Sequence, residues 1–176
     1  MRITAQDEYG LRCLVQIASQ PPGQNMNAHE IAKKEGISLP YANKILNTLK
    51  KKGLVESIRG IKGGFRLIRD KKDITVGEVM EALNQTLFPP EFCNWYSGQE
   101  SKCVHYKGSC CIRPMWSMLS DHIVSILKQI SFDDIVGKKE EIVGQDIRKR
   151  IEPKLLSIQQ KERPVMSVYM KGVKPV

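Results

Sequence analysis

Apolar side chains recur at helical spacing in the first part of the chain and predict three short helices in succession. In "DEYGLRCLVQIAS" (residues 7–19) they fall on one face of a helix, and the following "PPGQN" breaks that pattern. Asn27 and Glu30 have the spacing of a capping box that begins a second helix, "AHEIAKKEG", which Gly36 closes. Ser38 is suited to cap a third helix, "LPYANKILNTLKKKG", whose isoleucine and leucines face the core.

The segment after the third helix predicts a β-hairpin. "GLVESIRG" and "GFRLIRD" have the pattern of two short strands, and they flank "RGIKGG", a basic turn whose glycines permit a tight reversal. Two short helices joined by "EGIS" form a helix-turn-helix, in which the second helix enters the major groove of DNA. The combination with a basic hairpin is more specific than a helix-turn-helix pattern alone. It predicts a winged helix-turn-helix.

Two further helices are predicted downstream. "TVGEVMEAL" begins with Thr75 at the cap and Glu78 three residues later, the spacing of a second capping box. "PMWSMLSDHIVSILKQI" carries an apolar stripe on a helix of about five turns, wider than one side of a small domain would cover. We expect this helix to form a dimer interface, with His122 packed among its apolar side chains. The predicted fold class is therefore mainly α with a small β-hairpin: a winged helix-turn-helix domain plus a long dimerisation helix.

The organisation predicted from these elements has four parts. Between the last helix of the winged domain and the dimerisation helix, prolines, glycines and polar residues replace the helical pattern. After the dimerisation helix, charged and scattered apolar residues mix, and one short helix before Pro153 is expected. The predicted parts are a DNA-binding domain at 1–86, a cysteine-rich loop at 87–111, a dimerisation helix at 112–136 and a C-terminal extension of unassigned role at 137–176.

Charge strengthens the DNA-binding interpretation. The chain carries 28 Lys+Arg against 19 Asp+Glu, a net charge of +9, and the segment from Lys50 to Lys72 contributes nine basic and two acidic residues, or +7. Such a concentration of charge attracts polyanions. Side chains at the start of the third helix and on the hairpin are suited to phosphate or base contacts. The predicted DNA contacts are Arg2, Ser38, Tyr41, Asn43, Lys44, Arg59, Lys62 and Arg66.

Membrane and secreted classes are disfavoured. No stretch approaches the roughly 20 apolar residues of a membrane span, and "MRITAQDEYG" has no apolar signal core. We expect a protein of the reducing cytoplasm, where clustered cysteines bind metals or react as thiols more often than they form disulfides.

Four of the five cysteines lie within "FCNWYSGQESKCVHYKGSCCIRPMW" (residues 92–116). Structural zinc sites favour paired ligands with two to four residues between them, whereas Cys93, Cys103 and Cys110 are separated by nine and six residues. An iron–sulfur cluster accepts dispersed thiolates. Residue chemistry alone leaves three interpretations open: an iron–sulfur cluster, a zinc site and free redox thiols.

Three stretches of the chain resemble one family. The opening "MRITAQDEYGLRCLVQIA", the segment "IAKKEGISLPYANKILNTLKKKGLVESIRGIKGGFRL" and the loop ending in "CCIRPMW" are similar to the IscR/NsrR/CymR family of bacterial winged-helix regulators, over residues 1–136. The resemblance implies a homodimer that binds a pseudo-palindromic DNA operator. Many members carry an iron–sulfur cluster in this loop, while a minority lack the cysteines. The retained cysteines resemble the cluster-binding branch.

The resemblance also implies a ligand set. Cys93 and Cys103 match the first two ligand positions, and Cys110 matches the third because it precedes Trp116 by six residues. Arg113 stands where some relatives have a histidine ligand, and arginine cannot replace it.

Other relatives supply a carboxylate from the first helix of the opposite subunit, and Glu8 occupies that position. Cys111 and His105 are weaker candidates. The resemblance leaves undecided whether the cluster has two or four irons.

The sequence therefore predicts a transcription regulator, expected to be a repressor, whose operator affinity depends on an iron–sulfur cluster that senses iron or cluster supply, redox state or nitric oxide. The alternatives are a zinc- or thiol-switched repressor and a cluster-free regulator controlled by a partner protein. A redox enzyme would need acid–base residues near the cluster, and no such constellation occurs in the sequence. The chain is predicted not to be an enzyme.

Overall fold

The computed structural model describes residues 3–60, 63–83, 95, 97–99, 103, 110, 112–138 and 141–153. These residues belong to two compact units, one ending at Gly137 and the other beginning at Lys138. The first unit contains α1 (Ala5–Ala18), α2 (Ala28–Glu35), α3 (Leu39–Lys51), β1 (Val55–Ile58), β2 (Gly64–Leu67), a 3₁₀ turn (Lys71–Asp73), α4 (Val76–Ala82), α5 (Arg113–Leu127) and α6 (Phe132–Ile135).

The starts of α2 and α3 follow from local capping chemistry. At α2, the Asn27 side chain accepts the Glu30 amide at 2.8 Å and the Glu30 carboxylate accepts the Asn27 amide at 3.3 Å, which confirms the predicted capping box. Gly36 ends this helix in the left-handed region, with φ of 65°, where glycine meets no steric penalty. Ser38 caps α3 by accepting the Tyr41 amide, also as predicted.

The hairpin after α3 is also confirmed. β1 and β2 pair in antiparallel register, from Val55 opposite Leu67 to Ile58 opposite Gly64. The start of β2, next to the hairpin turn, is joined to the chain before α2, because the Phe65 amide donates to the Met26 carbonyl at 2.8 Å. The two strands therefore form a wing attached to the segment that leads into the helix-turn-helix.

Two predictions about downstream helices need correction. Thr75 caps α4 by accepting the Glu78 amide, but the Glu78 carboxylate pairs with Arg69 and not with the Thr75 amide. The capping box is therefore only half formed, because an arginine at the end of the wing competes for the carboxylate. Helix α5, the predicted dimerisation helix, has 15 residues, about four turns and not five.

The end of α5 is joined to α4 by backbone hydrogen bonds. The Val76 amide donates to the Ile130 carbonyl at 2.8 Å, and the Phe132 amide donates to the Ile74 carbonyl at 2.9 Å. We call these two segments, residues 74–77 and 127–132, the α4–α5 joint. Gly77 permits their close approach, since an added Cβ would lie 2.8 Å from the Lys128 backbone nitrogen.

One core unites these elements. Its completely buried members come from α1, α2, α3, β1, the start of α4 and α6: Cys13, Leu14, Ile31, Leu46, Leu49, Val55, Ile74, Val79 and Phe132. The sequence did not predict α6, although Ser131 and Asp134 form a capping box that is visible in "SFDD". Phe132, the first residue of α6, brings the end of the α4–α5 joint into the core.

The second unit contains one described helix over residues 141–153, α7, in agreement with the short helix predicted before Pro153. Within this unit Lys138 forms an ion pair with Asp146 at 3.6 Å, and Arg148 forms one with Glu152 at 3.6 Å. Both pairs are largely exposed to solvent and contribute little to stability. No helix in the described part of the chain is long and apolar enough to cross a membrane.

Candidate DNA-binding surface and cluster ligands

The predicted reading head is the first half of α3. Ala42, Ile45 and Leu46 anchor this helix in the core, so its opposite face is turned away from the domain. Of the predicted contacts on this helix, Ser38 and Lys44 are exposed and Asn43 is half-buried, whereas Tyr41 is half-buried and packs against the core. An amphipathic helix held in this way can present its first turns to a groove.

The wing lies beside the end of α3 and carries more positive charge. Lys50 donates to the Ser57 hydroxyl at 2.5 Å, a contact between α3 and β1 that sequence reasoning did not find. Arg59 is exposed at the end of the hairpin. Arg66 is exposed as well, but its guanidinium donates to Glu56 across the hairpin at 2.7 Å, so a DNA phosphate would have to compete with that carboxylate.

The first turn of α1 contains two adjacent acidic residues, Asp7 and Glu8, with different environments. Asp7 is 1% exposed, and its carboxylate accepts the Thr4 amide at 2.8 Å in a capping box. Glu8 is exposed and accepts from the Arg12 guanidinium at 2.6 Å, a hydrogen bond that raises the pKa of Arg12. The Asp7 carboxylate therefore serves to cap α1, whereas the Glu8 carboxylate is accessible to solvent.

Two of the predicted thiol ligands are described. Cys103 and Cys110 are half-buried, and neither forms a disulfide. The Cys110 sulfur accepts the Arg113 amide at 3.3 Å, directly before the first turn of α5. This hydrogen bond holds the Cys110 sulfur at the N-terminal end of α5.

The fifth cysteine differs from these two. Cys13 is completely buried on α1, and burial, with a smaller contribution from the charge of Glu35, raises its pKa to about 12. At neutral pH it remains a thiol. Because thiolates are the metal ligands, Cys13 is a core side chain and not a site residue.

Several predicted site residues lie outside the described part of the chain: Arg2, Lys62, Cys93, His105 and Cys111. Among the residues that are described, no three His, Cys, Asp or Glu side chains converge to hold a metal ion. The ligand set and the DNA contacts therefore stay predictions.

A contact near Glu8 was also missed by sequence reasoning. The Tyr9 and Tyr41 rings meet edge to face, with centroids 6.0 Å apart and planes at 84°. Arg12 lies 5.8 Å from the Tyr9 ring centroid. The three-residue spacing of Tyr9 and Arg12 on α1 places them on one helix face, but nothing local in the sequence indicates that Tyr41 lies opposite.

Comparison with known proteins agrees with this architecture. The profile of the Rrf2 family, described as iron-dependent transcriptional regulators, matches residues 3–138. The chain belongs to the Rrf2 family. It is a DNA-binding transcriptional regulator of the Rrf2/IscR type and not an enzyme.

Among the proteins similar to this Rrf2 regulator are two that are named IscR. It is 29% identical over 161 residues to the HTH-type transcriptional regulator IscR of Photorhabdus laumondii, a match that covers 87% of this chain and 92% of the relative. IscR of Escherichia coli is 29% identical over 140 residues, covering 80% and 83%. These matches confirm the resemblance inferred from the three sequence stretches.

Two solved structures share the fold. CymR, the global cysteine regulator of B. subtilis, superposes with a TM-score of 0.64 at 23% identity, covering 80% of this chain and 99% of that chain. IscR of T. potens superposes with a TM-score of 0.59 at 24% identity, covering 77% and 85%. The mainly helical winged helix-turn-helix fold is confirmed by both.

Proposed function

We propose that this Rrf2 regulator is a homodimer whose affinity for a pseudo-palindromic DNA operator is controlled by an iron–sulfur cluster. The observation that carries the proposal is the position of Cys110. Its sulfur lies directly before α5 and accepts the Arg113 amide, so metal ligation would act on the first turn of the predicted dimerisation helix. The IscR relatives and the iron-dependent description of the family support the same function.

The donor chemistry of the chain fits such a group. Cys93, Cys103 and Cys110 are the proposed thiolate ligands, and the two that are described are partly accessible and outside any disulfide. The exposed carboxylate of Glu8 is the proposed fourth ligand, provided by the partner subunit. When bound, the cluster would supply a redox- and iron-sensitive link between these side chains.

The proposed dimer depends on α5. Ile112, Met115, Met118 and Leu119 are between 39% and 54% exposed, although each is large and apolar. Among the residues of α5 itself, only Ser120 is buried within its own chain. A second copy packed against this stripe would remove it from water, and a two-fold axis would present two α3 helices to two half-sites of an operator.

A movement of the first turn of α5 would be transmitted to the DNA-binding domain through the other end of that helix. The other end of α5 is joined to the DNA-binding domain by the backbone hydrogen bonds of the α4–α5 joint, and a solvent-exposed ion pair between Lys128 and Glu81 lies beside them at 2.7 Å. A shift of α5 therefore has to move the winged domain with it. A coupling of ~2 kcal/mol between ligation and DNA binding would change operator affinity about thirtyfold.

The cofactor is tested first. Protein isolated without oxygen is expected to show visible absorbance and to contain iron and acid-labile sulfide, and removal of the cluster should change operator affinity. Stoichiometric zinc in a colourless protein would favour the zinc-switched alternative. Colourless, metal-free protein with unchanged operator affinity after reconstitution would favour the cluster-free regulator.

The wing is tested with Arg59→Ala. We expect operator affinity to fall by about ten- to a hundredfold, since a hydrogen bond to a charged group contributes roughly 1.5–3 kcal/mol. The slope of log affinity against log salt should fall by about one. Affinities are measured by fluorescence anisotropy over a range of salt concentrations.

Arg148→Ala is the matched control for Arg59→Ala, because it removes the same charge from α7. It should leave both the affinity and the salt slope nearly unchanged. Equal losses in the two variants would mean that net charge, and not a contact from the wing, accounts for the effect.

A further inference from the structure

An open cavity of about 540 Å³ lies between the end of α1, the turn that follows it, strand β2 and the end of α6. Four segments line it, residues 17–24, 66–67, 69–71 and 136–137, and all of them belong to the first unit. In other proteins, clefts of roughly 300–1,000 Å³ bind small molecules. None of the proposed cluster ligands is among the described residues of this lining. The cavity is therefore a candidate site separate from the cluster.

The apolar part of the lining is continuous with the domain core. Ile17 and Val136 are only 3% and 8% exposed, and Ala18 and Leu67 add further apolar surface. A hydrocarbon group that packs against such side chains leaves water, and the gain in free energy rises with the apolar area buried. A ligand that fits this cavity should therefore have an apolar body.

The charged part of the lining is mainly basic, with Arg66, Arg69 and Lys71 against Asp70. Each of the three cations forms an ion pair with a carboxylate that does not line the cavity: Glu56, Glu78 and Asp133. The charge that borders the cavity itself is thus mainly positive. Such a lining attracts an anion.

The existing ion pairs leave room for a further anion. The side chains of the Arg66–Glu56 pair are 45% and 42% exposed, and those of the Lys71–Asp133 pair are 37% and 52% exposed. Solvent-exposed ion pairs contribute little to stability, so the exchange of one carboxylate partner for another costs little. A guanidinium also has five N–H donors, and the contact of Arg66 with Glu56 is made through its Nε. A second carboxylate can therefore share these cations.

We propose that this cavity binds a small organic carboxylate, a compact apolar body that carries one carboxylate group. The body packs against Ile17 and Val136, and the carboxylate accepts hydrogen bonds from the basic side chains of the lining. The inference goes beyond the proposed function, because binding at this site requires neither the cluster nor DNA.

The site affects DNA binding through Arg66, which lines the cavity and is also a predicted DNA contact. A carboxylate that engages Arg66 competes with a DNA phosphate for the same guanidinium. Ligand binding therefore lowers operator affinity by about two- to fivefold, the contribution of one exposed charge contact. By linkage, the operator lowers the affinity for the ligand by the same factor.

The binding experiment uses phenylbutyrate as the probe and full-length protein without DNA, and it follows backbone amide NMR shifts. A ligand of this size is expected to bind with a Kd of about 1 mM. The shifts should concentrate at amides of the lining, such as those of Gly23, Leu67 and Gly137. Phenylbutyramide, which has the same shape without the charge, should bind about tenfold more weakly.

Lys71→Gln and Lys72→Gln are a matched pair, because each removes one positive charge from adjacent exposed positions. Lys71 belongs to the lining, whereas Lys72 lies outside it and is 66% exposed. Lys71→Gln should weaken phenylbutyrate binding about two- to fivefold. Lys72→Gln should leave the Kd unchanged.

The effect on DNA is measured by fluorescence anisotropy with saturating phenylbutyrate, against sodium chloride at equal ionic strength. Operator affinity should fall about two- to fivefold in the parent and stay constant in Arg66→Gln. An operator affinity that phenylbutyrate does not change would overturn the proposed competition for Arg66.

Three results would overturn the site itself: amide shifts confined to α5, equal binding of phenylbutyrate and phenylbutyramide, or equal losses in Lys71→Gln and Lys72→Gln. Each is read from protein without DNA. Failure of the proposed function has a different signature, since the protein would then lack a cluster or bind its operator equally well with and without one.

Discussion

Cys110→Ser is expected to abolish cluster binding and, with it, the difference in operator affinity between the two states. A serine oxygen is a poor substitute for a thiolate at an iron–sulfur cluster. The structure gives Cys110 an amide donor from Arg113 and a place directly before α5, so the same change also disconnects the proposed ligand from the predicted dimerisation helix. Visible absorbance and iron content should fall close to zero. The ratio of operator affinities should fall from about thirtyfold to about one.

Cys13→Ala is the matched control, because it removes the thiol that is buried in the core. Burial raises the pKa of Cys13 to about 12, which keeps it protonated and unavailable as a ligand at neutral pH. This variant should lose some stability but retain the iron, sulfide and spectrum of the parent. Cys111→Ser distinguishes the adjacent candidate. A cluster that survives Cys110→Ser and disappears in Cys111→Ser would transfer the third ligand position to Cys111.

The elements predicted well are those governed by neighbouring residues. Asn27 with Glu30, and Ser38 before α3, satisfy orphan amides within one turn, so the information lies in a few adjacent positions. Gly36 ends α2 because it adopts a left-handed conformation cheaply. The helix-turn-helix and its wing could therefore be predicted from the amino-acid sequence alone.

The features that sequence reasoning missed depend on distant residues. Glu78 has the right spacing to complete a capping box, yet Arg69 takes its carboxylate from the end of the wing. Tyr9 and Tyr41 are 32 positions apart in the numbering, and only the packing of α1 on α3 brings their rings together. The spacing of apolar residues along the sequence does not indicate a contact of this kind. The proposed ligands follow from thiol chemistry and family resemblance, and the structure adds the environments of Glu8, Cys103 and Cys110.

Phe132→Ala is expected to have the largest effect on stability. Phe132 is completely buried, and truncation of a buried phenylalanine typically costs about 3–5 kcal/mol, from lost transfer free energy and the cavity left behind. Proteins of this size are stable by only about 5–15 kcal/mol. The midpoint of thermal unfolding should fall by roughly 10 °C, measured by circular dichroism.

Ile68→Ala is the control for Phe132→Ala, since Ile68 is 49% exposed and its backbone hydrogen bond to Leu54 does not involve the side chain. Its unfolding midpoint should stay close to that of the parent.

Phe132→Leu then separates stability from regulation. It keeps most of the buried volume, so the fold should survive with a loss of about 1 kcal/mol. Because Phe132 fastens the end of α5 to the DNA-binding domain at the α4–α5 joint, a looser side chain there should reduce the effect of cluster removal on operator affinity. If Phe132→Leu retains the full parental difference, movement of α5 does not reach the winged domain through this joint. An unchanged unfolding midpoint in Phe132→Ala would contradict the packing itself, because a completely enclosed ring cannot be removed at no cost.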